Sequence, residues 1–121
     1  VYLLRVKHYR HKDNRLVDEF IKIGFTHQPD VKDRIATFPK CYRVEIVDTI
    51  MMDAATAYDM EQFLHQNLRD QRYIPMYKKW GGVTECYNKR MLNRFPTLFD
   101  LIYSILARQL EEARTPAFCR L

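Results

Sequence analysis

The stretch FIKIGFT at residues 20–26 alternates as a half-buried β-strand does, yet it carries Lys22 between Ile21 and Ile23 and stops at Gly24. Side chains two apart in a strand share a face, so Phe20 and Lys22 point one way and Ile21 and Ile23 the other. An ammonium in such a place either reaches water with its tip or meets a specific partner. Upstream, VYLLRV at residues 1–6 reads as a second strand, and residues 18–25 as the full extent of the strand holding Lys22. The polar segment KHYRHKDNRL between them reads as a long exposed hairpin loop. Antiparallel pairing about that loop is expected to set Tyr2 opposite Lys22, with Leu4 and Phe20 on their face and Leu3 on the other.

Farther along, Pro29 suits the first turn of a helix, with Asp30 and Asp33 near its positive end. That helix is expected to run to about Phe38 and stop at Pro39. Residues 43–52 read as a third strand by their β-branched content. Asp53 is a good N-cap for AATAYDMEQFLHQNL, whose apolar face includes Ala57, Met60, Phe63, Leu64 and Leu68. Pro75, Gly81 and Gly82 mark residues 69–82 as a loop, and residues 84–87 read as a short strand. Pro96 opens an amphipathic helix with Leu98, Leu101, Ile102, Ile105, Leu106 and Leu110, a stripe most simply read as core packing. The order β-β-α-β-α-β-α predicts an α+β fold, a small, mostly antiparallel sheet of three to four strands flanked by helices. At 121 residues the chain suffices for one core.

Charge points to an anionic partner. The net charge is +5, and the cations are concentrated in two segments. Residues 1–15 hold Arg5, Lys7, Arg10, Lys12 and Arg15 against Asp13; residues 66–94 hold Arg69, Arg72, Lys78, Lys79, Lys89, Arg90 and Arg94 against Asp70 and Glu85. In the second, Tyr73, Tyr77, Trp80 and Tyr87 are interleaved with the charges, as expected where cations meet a phosphate backbone and flat rings meet bases. No apolar run approaches the roughly 20 residues that span a bilayer, and no basic-then-apolar leader opens the chain, so no membrane role is expected. Cys41, Cys86 and Cys119 are odd in number and form no CxxC pair, which argues for a reducing, intracellular compartment. His8 and His11 have H-x-x-H spacing without a second matching pair, so a zinc site is not expected.

Four side chains make a sharper set when taken together: the Tyr2 phenol, the Lys22 ammonium, the Arg34 guanidinium and the Glu61 carboxylate. Each has an ordinary alternative, including pairing of Arg34 with Asp30 and of Glu61 with His65 at i,i+4. Around one cleft they would suit phosphodiester hydrolysis. A carboxylate holds Mg²⁺, a guanidinium grips the non-bridging oxygens, and a base or orienting group aligns the attacking water. An ammonium stabilises a neighbouring phenolate, so Lys22 either activates Tyr2 or contacts the phosphate directly.

At these residues the chain resembles the GIY-YIG nuclease superfamily. VYL at residues 1–3 is similar to the GIY segment, with Tyr2 as its tyrosine, and KIG at residues 22–24 to the YIG segment. Arg34 stands at the helix arginine and Glu61, in MEQFLH, at the metal-binding glutamate. The nearest likeness is to a phage and large-virus subgroup with KIG for YIG, an LH pair after the glutamate (Leu64 and His65) and a late motif like TECY at residues 84–87. The chain departs from better-studied members at Lys22, where they carry a second tyrosine. The resemblance implies a nuclease domain over residues 1–88, with a C-terminal helix in 89–121 packed on it. It implies a Mg²⁺- or Mn²⁺-dependent DNA endonuclease of viral or phage origin, acting in the cytoplasm or nucleus of a host cell. Its catalytic residues would be Tyr2, Lys22, Arg34 and Glu61, with Glu61 on the metal and His65 and Glu85 in support. DNA contacts are expected from Lys7, Arg10, Lys12, Arg15, Arg72, Lys78 and Lys79, and the protein is expected to be a monomer or weak homodimer. The competing expectation is a non-cleaving binding module, an inhibitor or adaptor on the same fold. A nuclease acting on RNA is a third, weaker expectation.

Overall fold

Four strands pair antiparallel in the order β3-β1-β2-β4. The computed structural model describes residues 1–26 and 30–114, so Pro29 and Cys119 lie outside the described residues. Strand β1 spans Tyr2–Tyr9, β2 Leu16–Gly24, β3 Tyr42–Thr49 and β4 only Cys86–Tyr87. The hairpin strands run farther into the polar segment than their apolar pattern predicts, and the exposed turn shrinks to residues 10–15. The reason is pairing: β1 lies between β2 and β3, so the backbone groups of Lys7 and His8 are bonded whatever their side chains. Asn14 closes the turn with φ 56°, a left-handed conformation that asparagine tolerates.

The register differs from expectation by two residues. Gly24, not Lys22, stands opposite Tyr2, and Lys22 pairs with Leu4. Faces survive a two-residue slip, because side chains alternate with period two. One face of the sheet therefore carries Leu3, Ile21 and Ile23, and the other Tyr2, Leu4, Val6, Phe20 and Lys22.

Helix α1 is Val31–Ile35, capped by the Asp30 carboxylate on the Lys32 N–H, and ends three residues before Phe38. The chain tightens into i→i+3 bonds there, Thr37 to Arg34 and Phe38 to Ile35, since a residue before proline is driven out of the helical region. Helix α2, Ala54–Asn67, begins where expected, with the Asp53 carboxylate accepting from the Thr56 N–H at 3.0 Å. A short helix α3, Met91–Arg94, is an element the periodicity does not announce. Helix α4, Leu98–Arg114, starts after Thr97 rather than at Pro96. The Thr97 hydroxyl accepts from Asp100 N–H and donates to its carboxylate, a reciprocal cap. Asp48 of β3 takes the Leu98 N–H at 2.8 Å, tying α4 to the sheet.

The faces pack differently. Leu3, Ile21 and Ile23 meet Leu64 and Leu68 at the end of α2, Met91 and Leu92 of α3, and Leu98, Leu101 and Ile105 of α4 in one mainly aliphatic cluster. Leu106 and Leu110, expected in that stripe, are exposed. The opposite face is covered by aromatic rings: Phe20 lies near Tyr42, Tyr73 and Trp80, and Phe38 near Trp80. Tyr73 and Trp80 thus serve as packing, and Tyr87 is fully buried, so of the four interleaved rings only Tyr77 is exposed.

Candidate active site

Lys22 is the most buried charged residue of the described chain, with no accessible surface. Its Nζ donates to the Tyr2 hydroxyl at 3.2 Å and to Glu85 Oε2 at 2.5 Å. It also lies 5.2 Å from the centroid of the Tyr2 ring and 5.7 Å from that of Phe38. The ammonium in mid-strand thus meets a phenol and a carboxylate, with ring faces around it. Two glycines make room. A Cβ on Gly24 would fall 2.6 Å from the Tyr2 hydroxyl and 3.0 Å from Nζ, and one on Gly82 would fall 2.5 Å from the Lys22 Cε.

Glu61 comes to the same end of the sheet from α2, one turn after the buried Ala57, and is itself buried. Burial first, and the charge of Glu85 second, push its carboxyl above the ordinary range; Lys22 and the Phe25 N–H oppose the shift. One turn later His65 presents Nε2 at 3.8 Å from Glu61 Oε1, too far for a hydrogen bond. That nitrogen is buried and has no hydrogen-bond partner. The other ring nitrogen, Nδ1, is hydrogen-bonded with the Tyr87 hydroxyl, whose ring stacks on the imidazole at 5.6 Å. Burial pulls the imidazole below its usual range and pushes the Tyr87 phenol up to about 12, so both are neutral near pH 7. Arg72, expected on DNA, gives its side-chain hydrogen bond to that same phenol.

Donor atoms of Glu61, His65 and Glu85 lie within 4.8 Å of one another, and they form the metal-competent group among the described residues. Two carboxylates and an orphaned imidazole nitrogen in a half-buried place fit a divalent cation, which would relieve both their repulsion and the missing hydrogen bond. His8, by contrast, packs its ring edge-on against Tyr42.

Tyr2 also lines a pocket of about 440 Å³ with Thr26, Asp30, Val31, Ala54 and Ala57. Tyr2, Lys22 and Glu61 are therefore gathered at one end of the sheet, together with His65 and Glu85. Arg34 is not joined to them: its guanidinium donates to Thr37 at 3.2 Å, just past the end of its own helix. Nor does it pair with Asp30, which caps α1.

The hairpin cations stand elsewhere. Arg10, Lys12 and Arg15 occupy the exposed turn at the far end of β1, an eight-residue strand and so about 25 Å from Tyr2 at roughly 3.3 Å per residue. Arg10 is paired with Asp13 at 2.5 Å. Lys7 is partly buried on β1, whereas Lys78 and Lys79 are exposed immediately before Trp80. Asp18 is a buried residue that sequence reasoning passed over. It accepts from the Tyr73 hydroxyl and, at 2.8 Å, from the Met76 N–H, pinning the second basic loop against β2. Its only signal was an acid inside an apolar strand. No helix among the described residues is long and apolar enough to cross a membrane. Compared with protein-family models, curated proteins and solved structures, the chain has no match in any of the three.

Proposed function

We propose that this protein is a metal-dependent endonuclease that hydrolyses DNA phosphodiester bonds, as the resemblance to GIY-YIG nucleases implies. The observation that carries the reading is the buried Lys22 ammonium, bonded to Tyr2 on one side and Glu85 on the other, beside the buried carboxylate of Glu61. A protein that only packs its core has little use for this arrangement, since each buried charge costs several kcal/mol before its partners compensate, roughly.

Glu61 would hold the cation, with His65 and Glu85 at hand. When bound, the ion supplies Lewis-acid stabilisation of charge on the phosphate. The chain's own groups do the rest. Lys22 holds the Tyr2 hydroxyl in place, and the phenol oxygen orients the attacking water. Arg34 reaches the non-bridging oxygens only after leaving Thr37, so substrate binding has to turn its side chain. The exposed Lys78 and Lys79 and the distant hairpin turn contact backbone phosphates. A separation of about 25 Å corresponds to roughly seven phosphates along one strand at about 3.4 Å each. One such site cuts one strand at a time. The proposed setting is intracellular, in keeping with the free thiols of Cys41 and Cys86.

A second reading, a nucleic-acid-binding module that does not cleave, is favoured by one observation: Arg34 is bonded to Thr37 and not to the cluster. Supercoiled plasmid separates the two. Nicking with Mg²⁺ or Mn²⁺, abolished by chelator, is expected to fall by about 10²–10³-fold in Glu61→Ala, while DNA binding persists. Binding without any nicking in the wild type would replace the first reading by the second.

A further inference from the structure

We propose that Glu61, His65 and Glu85 form one mixed nitrogen–oxygen site for a first-row divalent cation, selecting Mn²⁺ over Mg²⁺. The inference rests on the nuclease reading for the purpose of the ion, though not for its binding.

Three observations carry it. Donor atoms from all three residues lie within 4.8 Å of one another, so one ion reaches them with small side-chain movements. The His65 Nε2 atom is buried, unpartnered and 3.8 Å from Glu61 Oε1. A buried ring nitrogen without a partner forfeits a hydrogen bond that a coordinated cation would replace. The imidazole is also held as ligating histidines are, by a hydrogen-bonded group on its other nitrogen: Tyr87 touches Nδ1 and stacks on the ring, and Arg72 holds Tyr87.

Glu85 is available despite its bond with Lys22. A carboxylate has two oxygens, and the ammonium engages Oε2, which leaves the second for an ion. Glu85 would thus hold the ion through its other oxygen while Lys22 keeps its bonds with Oε2 and Tyr2. Donor chemistry then sets the preference. Mg²⁺ takes oxygen ligands and keeps its waters, whereas imidazole suits later first-row metals, with Mn²⁺ accepting both donor types.

The test uses the whole chain and the metals alone. Free Mn²⁺ is followed by electron paramagnetic resonance during titration, with Mg²⁺ as competitor, and the bound ion is examined by electron spin-echo modulation. Expected are one site per chain, Mn²⁺ bound at least about tenfold more tightly than Mg²⁺, and a ¹⁴N coupling from an imidazole. His65→Gln should erase both the preference and the coupling. Tyr87→Phe, which keeps the buried ring, should weaken Mn²⁺ by about tenfold and leave Mg²⁺ nearly unchanged. Because the spin-echo result is read on the wild type, a variant that misfolds leaves the proposal decidable. Bound Mn²⁺ without nitrogen coupling, equal affinity for the two ions, or no binding would each overturn it. Plasmid nicking by a protein without that coupling would sink this inference and spare the nuclease reading; coupling without nicking would do the reverse.

Discussion

The two faces of the sheet are built from the same two strands and obey different chemistry. On one, Leu3, Ile21 and Ile23 meet aliphatic side chains of α2, α3 and α4. On the other, one residue along β2 in either direction, Lys22 lies near the Tyr2 and Phe38 rings with no accessible surface. The first face gains stability from apolar area removed from water. The second spends some of that gain on an ammonium that Tyr2 and Glu85 compensate. A sheet can thus divide its labour by residue parity, stability on odd positions of β2 and chemistry on an even one.

The largest effects should come from breaking each face at its centre. Leu3→Ala is expected to cost about 3–5 kcal/mol in urea unfolding, as large-to-small changes in a closed core do. Glu85→Gln should approach that, at about 3 kcal/mol, because it strands a fully buried ammonium. The distinction lies in the rescue: adding Lys22→Met to Glu85→Gln should restore most of the loss, while no neighbouring substitution repairs Leu3→Ala so simply. If the double variant is as unstable as the sum of its parts, the ion pair is not what the second face depends on.

A smaller effect is expected at Gly24. A methyl there would stand 2.6 Å from the Tyr2 hydroxyl and 2.8 Å from its Cζ, so the ring has to move. Gly24→Ala should cost about 1–3 kcal/mol and lower nicking by more than its stability loss explains. Unchanged turnover in that variant would show that the placement of Tyr2 against Lys22 is immaterial.

The mildest expected effect is a pH dependence. His65 is depressed in the folded protein, so it binds fewer protons there than in the unfolded chain. Its contribution is present above the unfolded value of 6.5 and is lost as pH falls from 6.5 through the lower folded value. Glu61 is raised, so its contribution has the opposite sign: present below the unfolded value of 4.5 and lost as pH climbs through the higher folded value. Chemical denaturation across this range should show the acid-side decline reduced in His65→Gln and the rise-side decline reduced in Glu61→Gln. An unaltered profile in both variants would mean that neither group changes its protonation on folding.

Much of this was legible in the order of residues. Alternation in FIKIGFT and VYLLRV assigns Tyr2 and Lys22 to one face, and that assignment holds although the register is displaced by two. Asp53 announces α2, and the α2 periodicity places Glu61 at the edge of an apolar stripe. The shares of Tyr73, Trp80 and Tyr87 were misread. Interleaved with cations they resemble a nucleic-acid surface, but a ring's use depends on which side of the backbone is covered: Tyr73 and Trp80 pack around Phe20 on one face of the sheet, and Tyr87 is enclosed on the other with side chains of α2, α3 and α4. Arg34 stands apart from the cluster in this structure, its guanidinium bonded to Thr37 just past the end of a five-residue helix.

Local pattern determined the strand faces, the helix caps and the shortlist of polar groups, because periodicity and capping act between residues a few positions apart. Only the tertiary structure decided which of those groups meet. Glu85 reaches Lys22 across 63 positions of chain and Tyr87 reaches His65 across 22. Contacts of that span depend on how β4 and α2 dock against β2, and docking is set by the shape of both packed faces together rather than by any one stretch of residues.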